Sequence, residues 1–378
     1  MFRAGTDLVV VDVQVVDRKG QPILGLAPAD FEVRIDRQPR RVASVELVRF
    51  DQATPDATPP VSAAASAPSA QVRYEDGRNF VLAIDESSFH PLHAMAAREA
   101  VRRFVRRLNP ADRVGLYKYP VYGAELVLTT DHQEVLDRLD GVVGVLDLPQ
   151  SESRLTMSEI IDITAGDRDV LGRVAERECP SAPGLCRKRI EFEAQSLALA
   201  FEGQVGQSVQ GLRTLLRALA TYQGRKTLVL VSGGLLAGDR AGGRPDVTDM
   251  IGQISRESTL ANVNLYVLHL DNSFIDAFSP KGGGARASFM RDSQALGAGL
   301  ERFAGTAGGA LFRVQAGTGD YAFDRVLTET RAHYLLGVEA DPADRDGRPH
   351  TISVSVRRRG ADVRNRTTVV IPRSSPTP

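Results

Sequence analysis

The sequence predicts an α/β protein with a mostly parallel sheet, and a shorter all-β segment at each end of the chain. From residue 79 onward, strand patterns alternate with helix patterns, which is typical of a parallel sheet with helices on both faces. The first strand of this region, residues 80–84, is an uninterrupted apolar run, as expected for a strand covered on both faces. Before residue 50 and after residue 333, strand patterns follow one another with only turn residues between them.

Length and composition are those of an ordinary globular protein. The chain has 378 residues, enough for two domains with cores of their own. Lys plus Arg and Asp plus Glu each number 47, so no overall field favours nucleic acid or an anionic membrane. No stretch approaches the roughly 18 consecutive apolar residues that span a membrane. We therefore expect no nucleic-acid partner and no membrane span.

The two terminal segments are expected to form one domain. Strand patterns cover residues 6–16, 30–35, 42–48, 333–340, 350–356 and 362–371. Each terminal segment is too small to bury a core alone. The hypothesis is that residues 1–50 and 333–372 pair into one split, immunoglobulin-like β-sandwich, with the α/β domain inserted between them.

Residues 51–78 are predicted to be a linker, because most of this stretch is rich in Pro, Ala and Ser. Residues 79–332 are then the α/β domain. Its strands are predicted at 80–85, 113–119, 124–129, 226–232, 263–270 and 310–314, and its helices near 97–108, 131–140, 190–222, 247–260, 293–305 and 319–331. The gap before strand 124–129 is too short for a parallel crossover, so this strand is expected to run antiparallel at the sheet edge.

Residues 144–190 interrupt the alternation and are predicted to be a charged, helical insertion. The insertion contains both cysteines of the chain, Cys179 and Cys186. Two cysteines this close, among Pro and Gly, indicate a small disulfide-closed loop in an oxidising compartment, and two free thiols are the alternative. The first residues, MFRAG, lack the apolar core of a signal peptide. The protein is therefore expected to be cytosolic or to begin after a removed leader.

Four stretches of the sequence resemble a known family. They are TDLVVVDVQVVDRKGQPILGLAPADFEV, NFVLAIDESS, GRKTLVLVSGG and YLLGV. In order and spacing they resemble the von Willebrand factor A-related domain of acidobacterial secreted proteins. The resemblance implies a Rossmann-like, six-stranded sheet of order 3-2-1-4-5-6, with the site at the carboxyl ends of its strands. It also implies an extracellular or periplasmic protein-binding role.

The first parallel strand ends in a partial metal-binding motif. The metal-ion-dependent adhesion site of this fold uses Asp-x-Ser-x-Ser, a Thr from another loop and an Asp after the fourth strand. Asp85 and Ser87 match this pattern, whereas Phe89 has no oxygen to offer. Ser232-Gly233-Gly234 stands where the second Asp is expected. Mg²⁺ requires near-octahedral oxygen ligands, so we expect a degenerate site without a cofactor.

Other interpretations of these residues stay open. Asp85, Ser87 or Ser88 would cap the N-terminus of the following helix in one of them. In another, Ser232 is a hydrolase nucleophile at a strand-to-loop turn, although no glycine stands two residues before it. Ser88, Ser232, Gly233 and Gly234 are also candidate binding residues, since they border the same loops.

The leading hypothesis is a non-catalytic, extracytoplasmic protein-binding or scaffold module. In this fold the insertion and three loops emerge on one face; the loops are residues 86–92, 233–246 and 271–292. Long charged or Gly-rich loops on a rigid scaffold are typical of a recognition surface, and the expected partner is another protein. The alternative is a Mg²⁺-dependent adhesion protein that uses Asp85 and Ser87. A hydrolase that uses Ser232 is the third hypothesis.

Overall fold

The structure, a computed structural model, describes residues 8–50, 71–120, 126–146, 151–271, 288–314 and 320–373. The strands are β1 (Leu8–Val16), β2 (Phe31–Ile35), β3 (Gln38–Arg40), β4 (Val42–Arg49), β5 (Gln71–Tyr74), β6 (Asn79–Asp85), β7 (Arg113–Tyr119), β8 (Lys226–Ser232), β9 (Val263–Leu270), β10 (Leu311–Val314), β11 (Ala332–Glu339), β12 (Pro349–Val356), β13 (Asp362–Asn365) and β14 (Thr368–Val370). The helices are α1 (Ala94–Val105), α2 (His132–Asp137), α3 (Met157–Thr164), α4 (Arg168–Glu178), α5 (Pro183–Leu219), α6 (Thr248–Leu260), α7 (Phe289–Thr306) and α8 (Asp320–Glu329). No helix within the described ranges is long and apolar enough to cross a membrane.

The central sheet has the order β10-β9-β8-β6-β7, and all of its strand pairs are parallel. This confirms the predicted mostly parallel α/β sheet. The predicted antiparallel strand at 124–129 begins outside the described residues. Its described part contributes one antiparallel bridge, between Val114 and Thr129. In the described part of the chain, β7 is therefore the last full strand at that edge.

Helices cover both faces of the parallel sheet. One face packs against α1, α2 and α8, in a core cluster that includes Phe80, Leu82 and Ile84. The other face packs against α5, α6 and α7, in a cluster that includes Val81 and Ala83. Alternate side chains of β6 thus enter two different cores, which explains why this strand is apolar throughout. The apolar residues that repeat through α1 and the turn after it are buried, namely Ala97, Val101, Phe104, Val105 and Leu108.

The terminal segments meet in two further sheets, which are mainly antiparallel. In the first, of order β13-β1-β11-β4-β5, N-terminal β1 pairs with C-terminal β11. In the second, of order β14-β12-β2-β3, C-terminal β12 pairs with N-terminal β2. Side chains from both sheets, including Val13, Phe31, Tyr334 and Ile352, share one core cluster. Each terminal segment therefore completes the sheets of the other.

Part of the predicted linker is a strand. Residues 51–70 lie outside the described residues, but Gln71–Tyr74 form β5, which pairs in parallel with β4. The prediction of a linker over 51–78 is corrected for this stretch. All residues of β5 are exposed, so the sequence carries no alternation of buried and exposed side chains there. Residues 71–74 form a strand because their backbone pairs with β4 at the sheet edge, and a pattern of side chains cannot predict such pairing.

The insertion predicted at 144–190 contains α3, α4 and the first turns of α5, while residues 147–150 lie outside the described ranges. Helix α5 begins at Pro183, earlier than predicted, and continues to Leu219. Proline suits the first helical position because its missing N–H would have no partner there. The sulfur atoms of Cys179 and Cys186 lie at disulfide distance, with Cα atoms 6.4 Å apart. They connect the end of α4 to the first turn of α5.

The α/β part and the terminal sheets are joined by a buried cluster centred on Glu329. Its carboxylate accepts hydrogen bonds from Arg325 Nε at 2.5 Å, Arg364 Nη2 at 3.1 Å and the Tyr266 hydroxyl at 3.1 Å. The Glu329 carbonyl oxygen accepts a further bond from Gln14 Nε2 at 3.0 Å. Through this one residue, α8 is linked to β1, β9 and β13.

A second buried ion pair lies at the same junction, between Asp12 of β1 and Arg225, which directly precedes β8. Burial opposes ionisation of Asp12, but Arg225 and neighbouring charges outweigh it and lower the pKa of this carboxyl. His333 Nε2 is 3.9 Å from Asp12 Oδ2. Burial lowers the pKa of His333 to about 4, so this ring is neutral at pH 7. The guanidinium groups of Arg225 and, to a smaller extent, Arg366 therefore carry the charge that compensates Asp12.

We expect Glu329→Gln to lower the free energy of unfolding by about 3–5 kcal/mol, because it removes the carboxylate that compensates two partly buried guanidinium groups. Urea unfolding followed by circular dichroism measures this change. The control is Glu32→Gln, whose carboxylate is 3.0 Å from Arg357 with both side chains largely exposed. This exposed pair should contribute no more than about 1 kcal/mol. Equal effects of the two substitutions would contradict a structural role for the Glu329 cluster.

Candidate functional site

The parallel sheet brings most of the predicted site residues to one edge. Asp85 is the last residue of β6 and Ser232 the last of β8, and these strands are direct parallel neighbours. Ser87 and Ser88 follow in a short 3-10 turn, residues 86–88. Gly233 follows Ser232 in the adjacent loop. This edge lies at the carboxyl ends of the strands, where ligands bind in open α/β sheets.

Both carboxylate oxygens of Asp85 accept hydrogen bonds from serine hydroxyl groups. Ser87 Oγ donates to Asp85 Oδ1 at 2.6 Å, and Ser208 Oγ donates to Asp85 Oδ2 at 2.5 Å. The two hydroxyl oxygens are themselves 3.1 Å apart. All three side chains are buried, Asp85 at 1% exposure. The result is a closed cluster in which each carboxylate oxygen accepts a hydrogen bond.

Ser208 was missed by reasoning from the sequence, because it lies in α5, far from Asp85 along the chain. Its only sequence signal is a hydroxyl on the apolar face of α5, next to the buried residues Val205 and Val209. Close packing of α5 against the sheet brings the Ser208 hydroxyl within hydrogen-bond distance of Asp85. A Cβ atom at Gly211 would overlap the ring of Tyr119, the last residue of β7. A side chain at Gly211 would therefore push α5, and Ser208 with it, away from the sheet.

The interpretation of Asp85, Ser87 or Ser88 as a cap of the following helix is wrong. α1 begins at Ala94, and no side chain caps it. Ser88 Oγ instead donates to the carbonyl oxygen of Asp85 at 2.6 Å and accepts from Gly233 N at 2.8 Å. A Cβ atom at Gly233 would collide with the Ser88 carbonyl oxygen. The ends of β6 and β8 are thus held together by the hydrogen bond between Ser88 and Gly233 and by the close contact of their backbones.

Ser232 has no access to solvent in the described structure. It is fully buried, and its Oγ accepts a hydrogen bond from Gly234 N at 3.2 Å. His269 of β9 lies opposite Ser232 in the strand register. Burial lowers the pKa of His269 to about 4, so the ring is neutral. A substrate carbonyl would need the surrounding loops to open before it reached this serine.

The residues at Asp85 do not fit a Mg²⁺ ion in this arrangement. Mg²⁺ needs near-octahedral oxygen ligation, and an adhesion site keeps one position open to the partner. Here one carboxylate and two hydroxyls converge, and both hydroxyl protons point to the carboxylate. Phe89, at the third motif position, is buried in the apolar core. Among the described residues, no group of three or more His, Cys, Asp or Glu side chains is placed to hold a metal ion.

A segment of residues 142–146 covers the loop that follows Asp85. Glu86 accepts hydrogen bonds from Val143 N at its Oε1, 2.7 Å, and from Val145 N at its carbonyl oxygen, 2.8 Å. Leu146 N donates to the Phe89 carbonyl oxygen at 3.2 Å. While their backbones make these bonds, the side chains of Val143 and Val145 are about half exposed. The segment that covers the site therefore presents an apolar outer surface, which the sequence did not reveal.

The insertion extends from the same edge of the sheet. Lys226 Nζ, at the start of β8, donates to the Leu219 carbonyl oxygen at 3.2 Å, which places the end of α5 at the opposite, amino edge. Ser208 is at the carboxyl edge, so residues 183–207 extend roughly 37 Å beyond it, at about 1.5 Å per residue. Exposed apolar side chains repeat along one face of this extension, namely Leu185, Phe192 and Leu199.

Of the three predicted recognition loops, two are described. Residues 86–92 and 233–246 emerge at the carboxyl edge, whereas most of 271–292 lies outside the described residues. We call residues 86–92, 142–146 and 233–246 the loop face. Leu185, Phe192 and Leu199 are called the α5 stripe.

The comparisons with known proteins assign no family. No protein-family model matches the chain, and no curated protein matches it. A functional assignment therefore depends on the geometry of the loop face and of the Asp85 cluster.

Burial raises the pKa of Asp85 to about 6, and the hydrogen bonds from Ser208 and Ser87 only partly oppose this effect. The native state therefore holds this proton more tightly than the unfolded chain, whose carboxyl has a pKa of 3.8. The stability conferred by the protonated form is complete below about pH 4. This contribution to stability declines as the pH rises to about 6, and it is absent at higher pH.

Asp85→Asn replaces the carboxyl group with an amide that does not ionise, so the pH-dependent loss of stability should disappear. Between about pH 4 and pH 7, we expect the unfolding free energy of the variant to rise by up to about 3 kcal/mol relative to wild type. The serine hydroxyls can donate or accept, so they can bond the amide. Urea unfolding over this pH range measures the difference. Asp324→Asn, at an exposed carboxylate, is the control and should follow the wild-type profile. Parallel profiles for Asp85→Asn and wild type would contradict the buried, protonated state.

Proposed function

We propose that the protein is a non-catalytic, extracytoplasmic binding module of the von Willebrand factor A type, inserted into an immunoglobulin-like β-sandwich. Numbered within the α/β domain, the parallel strands have the order 2-1-4-5-6. The antiparallel bridge between Val114 and Thr129 lies where strand 3 would complete the order 3-2-1-4-5-6. The core cluster shared by the terminal sheets supports the sandwich. An extracellular or periplasmic location is supported by the cysteine pair at disulfide distance.

One observation carries the proposed binding role: the segment that is hydrogen-bonded to the loop after Asp85 presents Val143 and Val145 to the outside. An adhesion domain of this fold would bind its partner through an open metal position. Here the Asp85 oxygens are hydrogen-bonded by Ser87 and Ser208, and the apolar side chains of Val143 and Val145 lie beside the loop that follows. Exposed apolar patches on soluble domains are typical of protein-binding surfaces. The proposed partner is therefore another protein, which docks on the loop face without a metal ion.

The α5 stripe extends the proposed surface. Its residues are spaced by seven, about two helical turns, and so lie on one side of the helix. Phe192 is 74% exposed, and large aromatic side chains are frequent anchors of protein interfaces. The cysteine pair and the cores beneath α3 and α4 hold this part of α5 in place. A rigid exposed helix loses little conformational entropy when a partner binds.

The alternative proposal is a metal-dependent adhesion protein. It is favoured by Ser208, which supplies a third oxygen beside those of Asp85 and Ser87. In this alternative the loop face opens, the hydroxyl protons turn away from Asp85, and water completes the ligand set.

Substitutions on the loop face test the binding proposal. We expect Val143→Asp/Val145→Asp to lose at least about tenfold in partner capture, since charges replace the apolar contact. Immobilised wild-type and variant proteins would be incubated with the native envelope fraction, and retained proteins quantified by mass spectrometry. Phe192→Asp/Leu199→Asp tests the α5 stripe in the same way. The matched control is Val72→Asp/Tyr74→Asp, at two alternate exposed positions of β5. If all three double variants retain the same proteins as wild type, the proposed surface is wrong.

Calorimetric titration with Mg²⁺ and Mn²⁺ separates the two proposals. We expect no saturable heat for the wild-type protein, because the Asp85 oxygens are already hydrogen-bonded and buried. The alternative predicts saturable binding that is lost in both Asp85→Ala and Ser208→Ala. Saturable binding with this dependence would replace the metal-free proposal.

A further inference from the structure

A groove of about 770 Å³ lies where the terminal sheets meet the end of α6. One wall is the first half of β1, from Leu8 to Asp12, and the opposite wall is β14 together with Thr259 and Leu260. Leu260 ends α6, shortly before β9 begins. The groove is therefore at the amino edge of the parallel sheet, remote from the loop face.

The groove contains an open strand edge. On one side, β1 pairs with β11 from Leu8 to Val13. On its other side, β13 pairs with β1 only from Val13 to Val16. The chain then leaves this sheet, and β14 pairs with β12 instead. Within the described ranges, no strand pairs with the outer edge of β1 from residue 8 to residue 12, a length of roughly 17 Å.

This edge lacks the features that usually protect an exposed strand. Edge strands are normally blunted by Lys, Pro or a bulge, whereas β1 begins with the run LVVV. Val10 is 64% exposed and Leu260, across the groove, is 65% exposed. An added strand would cover both side chains and pair with the free backbone groups of β1 at the same time.

The charge of the groove indicates what such a strand would carry. Three guanidinium groups line it, those of Arg345, Arg366 and Arg373, and Asp12 is the one carboxylate among its described lining residues. Asp12 is already ion-paired with Arg225. Arg366 donates to Asn262 Oδ1 at 2.8 Å, and burial lowers its pKa. The one carboxylate that acts on Arg366 is Asp12, which is shared with Arg225, so a carboxylate from a ligand would add compensation for this buried cation.

We propose that this groove binds an extended, acidic segment of a partner protein, which adds as a strand to the open edge of β1. Alternate apolar side chains of the segment pack on Val10 and Leu260, and its carboxylates face Arg366 and the other two guanidinium groups. Main-chain hydrogen bonds supply affinity in this binding mode, and the alternate side chains supply specificity. The site is independent of the loop face, and it requires neither a metal ion nor the Asp85 cluster.

A phage-displayed library of random heptapeptides tests the proposal with the full chain as bait. The expected result is enrichment of sequences in which Asp or Glu alternates with β-branched or aromatic residues. The affinity of an enriched peptide is then measured by fluorescence anisotropy. Val10→Asp and Leu260→Asp should each weaken binding by at least about tenfold, and added NaCl should weaken it further. Hydrogen exchange should show new protection at residues 8–12.

The matched control is Met95→Asp, at an exposed methionine of α1, which should bind the peptide as wild type does. Three results would overturn the proposal. The first is no enrichment, or enrichment of basic peptides. The second is unchanged affinity in Val10→Asp. The third is a concentration-dependent dimer in sedimentation that Val10→Asp abolishes, since the groove would then bind a second copy of this chain.

Discussion

The buried carboxylate of Glu329 is the interaction on which the relation between the two parts of the molecule depends. It accepts from Arg325 of its own helix, from Arg364 of β13 and from Tyr266 of β9, while its backbone carbonyl accepts from Gln14 of β1. A buried charge is tolerated only when its partners are all in place. The terminal sheets therefore have one favourable position on the α/β part, at the amino edge of the parallel sheet, where Asp12 and Arg225 add a second ion pair.

The same sheet creates a different kind of polar cluster at its carboxyl edge. Burial disfavours the charged form of Asp85 and raises its pKa to about 6, and the hydrogen bonds from two neutral hydroxyls oppose this effect only in part. Phe89 enters the apolar core, and this anchors the loop beneath residues 142–146. Among the described residues, hydrogen bonds from Ser87 and Ser208 hold Asp85 at this edge.

Helix α5 connects these local features to the outer surface of the molecule. Its last turn contacts the start of β8 through Lys226 and its middle supplies Ser208 to Asp85. Its first half, packed against α3 and α4, carries Phe192 and the rest of the α5 stripe. The two proposed binding surfaces consequently lie at opposite ends of the parallel sheet. The loop face and stripe are at the carboxyl edge, and the groove beside β1 is at the amino edge, so two partners could bind without competing for space.

The sequence by itself determined those helices and strands in which the pattern of apolar and polar residues matches the pattern of buried and exposed positions. Strands β8 and β9 have the predicted bounds, and the helix predicted near 97–108 is present with its apolar face buried, because local periodicity follows directly from which faces are covered. It also placed Asp85 and Ser232 at strand ends, and the strand order implied by the resemblance made these two strands neighbours, as they are in the sheet. Tertiary structure alone decided the remainder. β5 exists through backbone pairing without a side-chain pattern, and Ser208 reaches Asp85 through the packing of a distant helix. The open edge of β1 arises because β14 leaves one sheet for another. These features depend on contacts between residues far apart in the chain. Local sequence patterns do not show which distant residues come into contact.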